Sequence, residues 1–247
     1  MRHHHNRMAN SCMKPVASVF GLALLATMTS GPAQAAQVHV RPVILDIQAP
    51  AMTGNLTFRN LGNEKVTAQV RVFRWVQRKG RDVLEPTRAV VASPPMLRLM
   101  PQRENVVRVV RTQKSRVHGE EAYRVIVDEI PDRRKKTGGV VFAVRYSIPV
   151  FFHTPEATPP KLSWAARRMK GRLVIAATNA GDRHARLADL AVLNAAGQPL
   201  KTFPGLAGYV LGHATRAWVV PVRGAVNTVI IRGKGPNGTF RQKIRVR

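Results

Sequence analysis

The side chains able to carry bond chemistry are few and scattered. Beyond residue 35 the histidines are His39, His118, His153, His184 and His213. No two stand at a spacing that makes a local metal pair, and neither HExxH nor a His/Asp cluster occurs. Asp128 and Glu129 are adjacent, so on a strand they point to opposite faces and do not form a glycosidase pair. In the same region GxSxG and SxxK are absent, as are the Walker and dinucleotide glycine loops. The sequence is therefore read as a non-enzyme with no metal and no cofactor. One cation stands out: Arg145, inside the apolar run GGVVFAVRYSIPVFF at 138–152. A guanidinium in such surroundings needs an anionic partner.

The first 35 residues read as a secretory signal peptide. Arg2, Arg7 and Lys14 precede the apolar stretch VASVFGLALLATM, which is too short to span a membrane. Ala33-Gln34-Ala35 then supplies a small-x-small cleavage pattern, and cleavage is expected before Ala36. Cys12 lies before the apolar stretch, where a lipoprotein acceptor would not. Without the leader the chain has no thiol, hence no disulfide and no cysteine nucleophile. The expected location is the periplasm, with no membrane insertion.

Charge is the strongest compositional signal: 40 basic against 13 acidic residues, a net of +27. Removing the three leader bases leaves 37 against 13, or +24. Such a surface attracts anionic partners. The bases are spread along the chain, aromatics are only 6%, and most aromatics lie in apolar strands, so nucleic-acid binding is not expected.

The elements that must position these residues are strands. Short β-rich runs such as QVHVRPVILDI, VTAQVRVFRWVQ and AYRVIVDEI recur between turn signals, the pattern of antiparallel sandwiches. HTPEATPPK at 153–161 breaks the pattern with prolines and reads as a stiff linker. The fold class is all-β, with two immunoglobulin-like sandwiches. The segments are 1–35 leader, 36–153 first domain with its last strand at 140–152, 154–161 linker and 162–247 second domain. LTFRNLGNEKVTAQV from Leu56 echoes LVIAATNAGDRHARLADL from Leu173, each a strand, an Asn-x-Gly turn and a strand. Asn60 and Asn179 are expected in left-handed turns joining antiparallel neighbours. Trp75 is expected in the core.

Several segments taken together resemble the periplasmic chaperones of chaperone–usher pilus assembly. They are RVFRWVQRKGRDVL (71–84), ASPPMLRLMPQRENVVRVVR (92–111), EAYRVIVDEIP (121–131) and VVFAVRYSIPVFF. The motifs are most similar to the archaic, spore-coat-protein-associated branch. The resemblance implies two sandwiches set at an angle, clients that are pilin or spore-coat-like subunits lacking a strand, and delivery to an outer-membrane usher. It also implies that the last strand of the first domain fills the client's groove, the mode called donor-strand complementation. Alternation then places Val140, Phe142 and Val144 in the groove, with Val141 and Ala143 toward the chaperone's own core. Family members anchor the client's terminal carboxylate with basic residues. Here the resemblance implies Arg124 and Arg145, with Arg41 in reserve, because the usual late lysine position reads Pro149. It implies an interdomain structural role for Arg108. DRRKKTGG (132–139) is expected to be a loop that orders on client binding, and a free donor strand leaves self-association open. The rival reading is a secreted two-domain sandwich that binds an anionic ligand such as a polysaccharide.

Overall fold

A computed structural model describes residues 38–131 and 143–247. Residues 1–37, the basic segment 132–139, Val140, Val141 and Phe142 lie outside the described residues. Among the described residues every regular element is a strand and no helix occurs.

The first sandwich holds ten strands: β1 (Val38–Arg41), β2 (Leu45–Gln48), β3 (Thr53–Asn60), β4 (Val66–Arg78), β5 (Arg81–Pro86), β6 (Val90–Ser93), β7 (Met96–Leu99), β8 (Glu104–Arg111), β9 (Glu120–Glu129) and β10 (Arg145–His153). One sheet runs β1-β3-β8-β6, and the other β2-β10-β9-β4-β5 with β7 on β4. Alternation drives this packing. In β8 Val107 and Val109 turn inward, and in β9 Tyr123, Val125 and Val127 do, so each strand gives one apolar row to a common core with Leu56, Phe58 and Phe152.

The second sandwich holds β11 (Leu162–Met169), β12 (Arg172–Asn179), β13 (Ala185–Asn194), β14 (Pro199–Val210), β15 (Thr215–Pro221), β16 (Thr228–Gly235) and β17 (Gly238–Arg245). Its sheets are β11-β12-β15 and β14-β13-β16-β17. Its core gathers Leu173, Ile175, Leu187, Val192, Trp218 and Ile231. The connection 154–161 is tied down at both ends. Thr154 N donates to Gly119 O at 3.0 Å, and Thr158 N and Oγ1 donate to Asp182 Oδ2 at 2.8 and 2.6 Å.

The two Asn-x-Gly turns are equivalent, but they are not hairpins. β3 and β4 lie in different sheets, and so do β12 and β13. Each turn is an arch between sheets, and neither its Asn nor its Gly has a positive φ. What the arch needs is a polar side chain for its stranded backbone groups. Asn60 and Asn179 are each 1% exposed. Asn60 Nδ2 donates to Glu64 O and Leu99 O, and its Oδ1 accepts from Gly62 N. Asn179 Nδ2 donates to the carbonyls of Arg183, Val210 and Leu211, while its Oδ1 accepts from Lys161 N and Gly181 N. Gly181 is required by space: a Cβ there would stand 2.0 Å from Pro159 O.

A second buried polar group secures the 112–117 loop. The Arg111 side chain, 2% exposed, pairs with Glu121 through Nε at 2.9 Å and Nη2 at 2.8 Å. Its Nη1 donates to Gln113 O and Ser115 O, and Tyr123 Oη donates to Glu121 Oε2 at 2.9 Å. Burial alone would raise the Glu121 pKa, but hydrogen bonds from Arg111 and Tyr123 hold it below the ordinary carboxylate value.

Two outcomes are expected. Asn179→Leu keeps the branched shape, adds bulk and strands at least four backbone groups, so urea denaturation should show a loss of about 3 kcal/mol or more. Glu121 has a depressed folded pKa, so its contribution is present above the unfolded value of about 4.3 and fades as pH falls through the folded value. Wild type should therefore lose stability below about pH 4 more steeply than Glu121→Gln. Parallel pH–stability curves would assign the acid sensitivity to other groups.

Candidate functional site

The site begins with an unfilled edge. β10 pairs with β9 along its whole length, from Arg145↔Asp128 to His153↔Glu120. On its other side β2 pairs only with Val150 to His153. Glu129 N donates to Val144 O, and Ala49 N donates to His153 O. Even-numbered residues of the strand therefore bond to β9, and odd-numbered ones turn their backbone groups to the opposite edge. From Arg145 to Ile148 that edge has no partner strand among the described residues. Pro149, which has no N–H, falls at an odd position, where its missing donor costs β9 nothing.

The two faces of β10 differ. Tyr146, Ile148, Val150 and Phe152 pack into the first core. Val144 continues that even-numbered row and is half-buried, while Ala143 is exposed, so the expectation that Ala143 turns inward is corrected. The pleat sets this parity: Tyr146, whose Oη donates to Val38 O at 3.0 Å, fixes which row faces in.

On the opposite face, at the inner end of the open stretch, lies Arg124, directly across from Pro149. Its guanidinium carbon stands 3.7 Å from the Trp75 ring centroid and 5.5 Å from that of Tyr209 in the second sandwich. Nη1 donates to Ser147 O at 3.3 Å. Among the described residues no carboxylate pairs with it. Burial lowers its pKa, opposed by Tyr209 and Asp82, and the group remains a cation. Arg124 forms no salt bridge with Asp128 or Glu129 among the described residues. Asp128 instead takes Arg71 at 2.6 Å and Arg145. Burial would raise the Asp128 pKa, but these two arginines hold it below the ordinary range.

Arg124 and Arg145 are thus not brought together. They share a face but lie four residues apart in register, about 13 Å along the strand. Arg41 sits in the other sheet, on Glu104 at 3.2 Å. Arg108 is exposed on β8, opposite Asn55 and Ser93, and makes no hydrogen bond or ion pair with the second sandwich among the described residues. An outward place on an alternating strand gives it no route to the second sandwich.

The charge network between the sandwiches is built elsewhere, from residues the sequence did not single out for it. The Glu120 side chain is 2% exposed and accepts from Arg183 Nε at 2.9 Å and from His184 N at 2.8 Å, with His184 Nδ1 at 2.9 Å. Arg183 also reaches Asp46 at 2.7 Å, and His153 Nε2 lies 3.3 Å from Asp46. His184 stacks on Phe151 at 3.6 Å. Trp75 is buried as expected, but in a cluster with Phe151, Tyr209 and Leu211 that joins the sandwiches rather than in either core. Gln77 completes the joint: Nε2 donates to Tyr209 O and Oε1 accepts from Leu211 N. No group of acids, histidines and cysteines able to hold a metal occurs among the described residues.

Comparison with known proteins decides the family. Residues 37–159 match the family model described as "Pili and flagellar-assembly chaperone, PapD N-terminal domain". Through this domain the chain belongs to the PapD-type pilus-assembly chaperones. That family is one of chaperones, not of enzymes. The two-sandwich fold is also that of solved structures. A chain of the CsuC–CsuE chaperone–tip adhesion subunit pre-assembly complex, from archaic chaperone–usher Csu pili of Acinetobacter baumannii, matches with a TM-score of 0.68 and 23% identity over 86% of this chain and 100% of that one. The E. coli chaperone DraB matches at 0.57 and 20% identity, over 86% of this chain and 97% of its own. A chain of the Salmonella enterica SafA pilin–SafB chaperone complex matches at 0.59 and 16%, over 85% and 97%. No curated protein matches the sequence.

Removing one side of the interdomain charge pair strands the other. Arg183→Ala should lower stability by about 3 kcal/mol in chemical denaturation, because Glu120 keeps its burial and loses its guanidinium. Glu120→Leu combined with Arg183→Leu should recover part of that loss, since neither charge is then left unpaired.

Proposed function

We propose that this chaperone acts in the periplasm by lending the β10 strand to pilin or spore-coat-like subunits that lack one. The observation that carries the reading is the open edge from Arg145 to Ile148, with the carboxylate-free cation Arg124 at its inner end. A client strand placed along this edge receives the backbone groups of Arg145 and Ser147. Its apolar groove receives the even-numbered row, which Val144 begins among the described residues and which Val140 and Phe142 extend by sequence. The client's missing core is thus continued from the chaperone's own.

Arg124 is the anchor for a client's terminal carboxylate. Two aromatic rings hold the guanidinium flat and keep it desolvated, and a carboxylate can meet it in the bidentate geometry such planes favour. Arg145 is held by Asp128 in the free protein, so it serves a client by leaving that acid or by staying on it as the outer limit of the site. The reading involves no bond chemistry and no cofactor. The reading includes transfer of the client to an outer-membrane usher, a cleaved leader at 1–35, and the domains 36–153 and 162–247 joined by 154–161.

The test is co-expression in the periplasm with each small secreted protein encoded beside this gene, followed by pull-down and gel filtration for a 1:1 complex. Arg124→Ala should weaken the complex by at least about tenfold, close to 1.4 kcal/mol, while Arg41→Ala leaves it intact. Ser147→Pro removes a donor from the open edge and none from the β9 ladder, so it should abolish binding while the thermal melt stays near wild type. A complex that tolerates Ser147→Pro and Phe142→Asp would overturn strand lending. Loss of all binding at raised salt, with indifference to both substitutions, would favour the anionic-ligand reading.

A further inference from the structure

The second sandwich carries a groove that the strand-lending site does not use. On the outer face of β11-β12-β15 three alanines lie in one row across the sheet, Ala165↔Ala176↔Ala217. The Lys79-Gly80 turn of the first sandwich leans on the end of that row. Ala217 N donates to Gly80 O at 3.0 Å, and a Cβ on Gly80 would stand 2.7 Å from the Ala217 Cβ. Depressions of about 910 and 560 Å³ adjoin along this face and share Lys79, Gly80, Arg167, Val174 and Ala217. The smaller one adds Arg81, Lys170 and Arg172 to its rim. No carboxylate side chain lines either depression, and none pairs with Lys79, Arg81, Arg167, Lys170 or Arg172 among the described residues. Elsewhere the acids are matched: Asp82 takes Arg216, Glu85 takes Arg78 and Asp189 takes Lys234.

The floor has a second property. Among the described residues β15 pairs along its length with β12 alone, apart from a single bridge between Arg216 and Gly80. Because Ala217 turns its N–H to Gly80, the odd-numbered residues of β15 turn their backbone groups away from β12. Past Gly80, Val219 is therefore an exposed residue on an open edge beside the basic rim. A small-residue floor lets a backbone approach closely. An open edge offers it hydrogen bonds, and the rim demands negative side chains.

We propose that this face binds an acidic, extended polypeptide segment, which adds to the edge of β15 at Val219 and sets its carboxylates against Arg167, Lys170 and Arg172. The site is separate from the β10 edge and takes a different partner chemistry, a charged strand rather than an apolar groove.

The test uses the purified full-length chain and a fluorescent peptide of about ten residues, alternating glutamate and threonine, read by anisotropy at low and moderate salt. Its control has the same charge with prolines replacing the threonines, so it cannot pair as a strand. The alternating peptide should bind at least about tenfold more tightly than the control, ~1.4 kcal/mol. Arg167→Ser/Lys170→Ser/Arg172→Ser should lose that binding. Arg98→Ser/Arg103→Ser/Arg232→Ser removes the same charge away from the groove and should change it little. Val219→Pro should bring the two peptides level while Val219→Thr preserves the difference, and thermal melts verify that each variant is folded. Equal binding of both peptides, equal losses in the two triple variants, or tighter binding of polyphosphate or of anionic phospholipid vesicles would overturn the proposal. So would the absence of peptide binding at low salt.

Discussion

A carboxylate taken out of water has to be matched, and Glu120 is matched from across the joint between the sandwiches. That requirement ties the start of β9 to the residues just before β13. Arg183 and His184, which close on Glu120, follow the arch that Asn179 secures inside the second sandwich. The arch is in turn pinned to the linker through Gly181, whose place against Pro159 leaves no room for a side chain. The apolar cluster of Trp75, Phe151, Tyr209 and Leu211 then closes beside the charges and supplies the burial that ion pairs alone do not.

This joint creates the state of Arg124. Tyr209 comes from one sandwich and Trp75 from the other, and the guanidinium lies against both. The nearby acids are already engaged. Asp82 accepts from Trp75, Gln77 and Arg216, and Asp128 holds Arg71 and Arg145. A cation left over in a partly desolvated place stores electrostatic attraction for an anion that arrives later, whereas a cation already paired on the surface has little to offer. That difference is the reason Arg124 is proposed as the anchor ahead of Arg145 and Arg41, although all three carry the same group.

Much of this was legible in the sequence. The strand runs, the proline-rich break and the apolar last strand of the first domain follow from period and composition, and the described strands fall where those runs predict. The repeated Asn-x-Gly was correctly seen as one device used twice. It was misread as a hairpin because sequence reports that a chain turns, not whether it turns within a sheet or between sheets. Arg108 was misplaced for a related reason. Its neighbours Val107 and Val109 announce a strand, and the strand's own alternation sends it to solvent. The residues that bind the sandwiches together, Asp46, Glu120, Arg183 and His184, carried no motif. Their partners lie 30 or more residues away, and the Glu120-Glu121 pair gives no hint that each acid turns to a different arginine.

The treatment of strand edges argues that the opening in β10 is a feature of the design. Unpaired edges invite aggregation, and proteins cover or blunt them. Here the edge of β11 is closed by the C-terminal residues, with Arg247 N donating to Ala166 O and Arg168 N donating to Arg247 O. β15 is met by Gly80 and ends in Pro221, which narrows its open stretch among the described residues to Val219. β10 itself is covered by β2 over Val150 to His153. Just before that cover, Pro149 interrupts the donors, and an exposed Arg145 stands at the strand's first position. Proline and charge on an edge discourage promiscuous pairing without closing it. The chain therefore spends a covering strand on the half of β10 that supports the joint and leaves the other half open, guarded but available. An edge kept in that state suits the transient binding of one kind of partner better than it suits storage of a finished sheet.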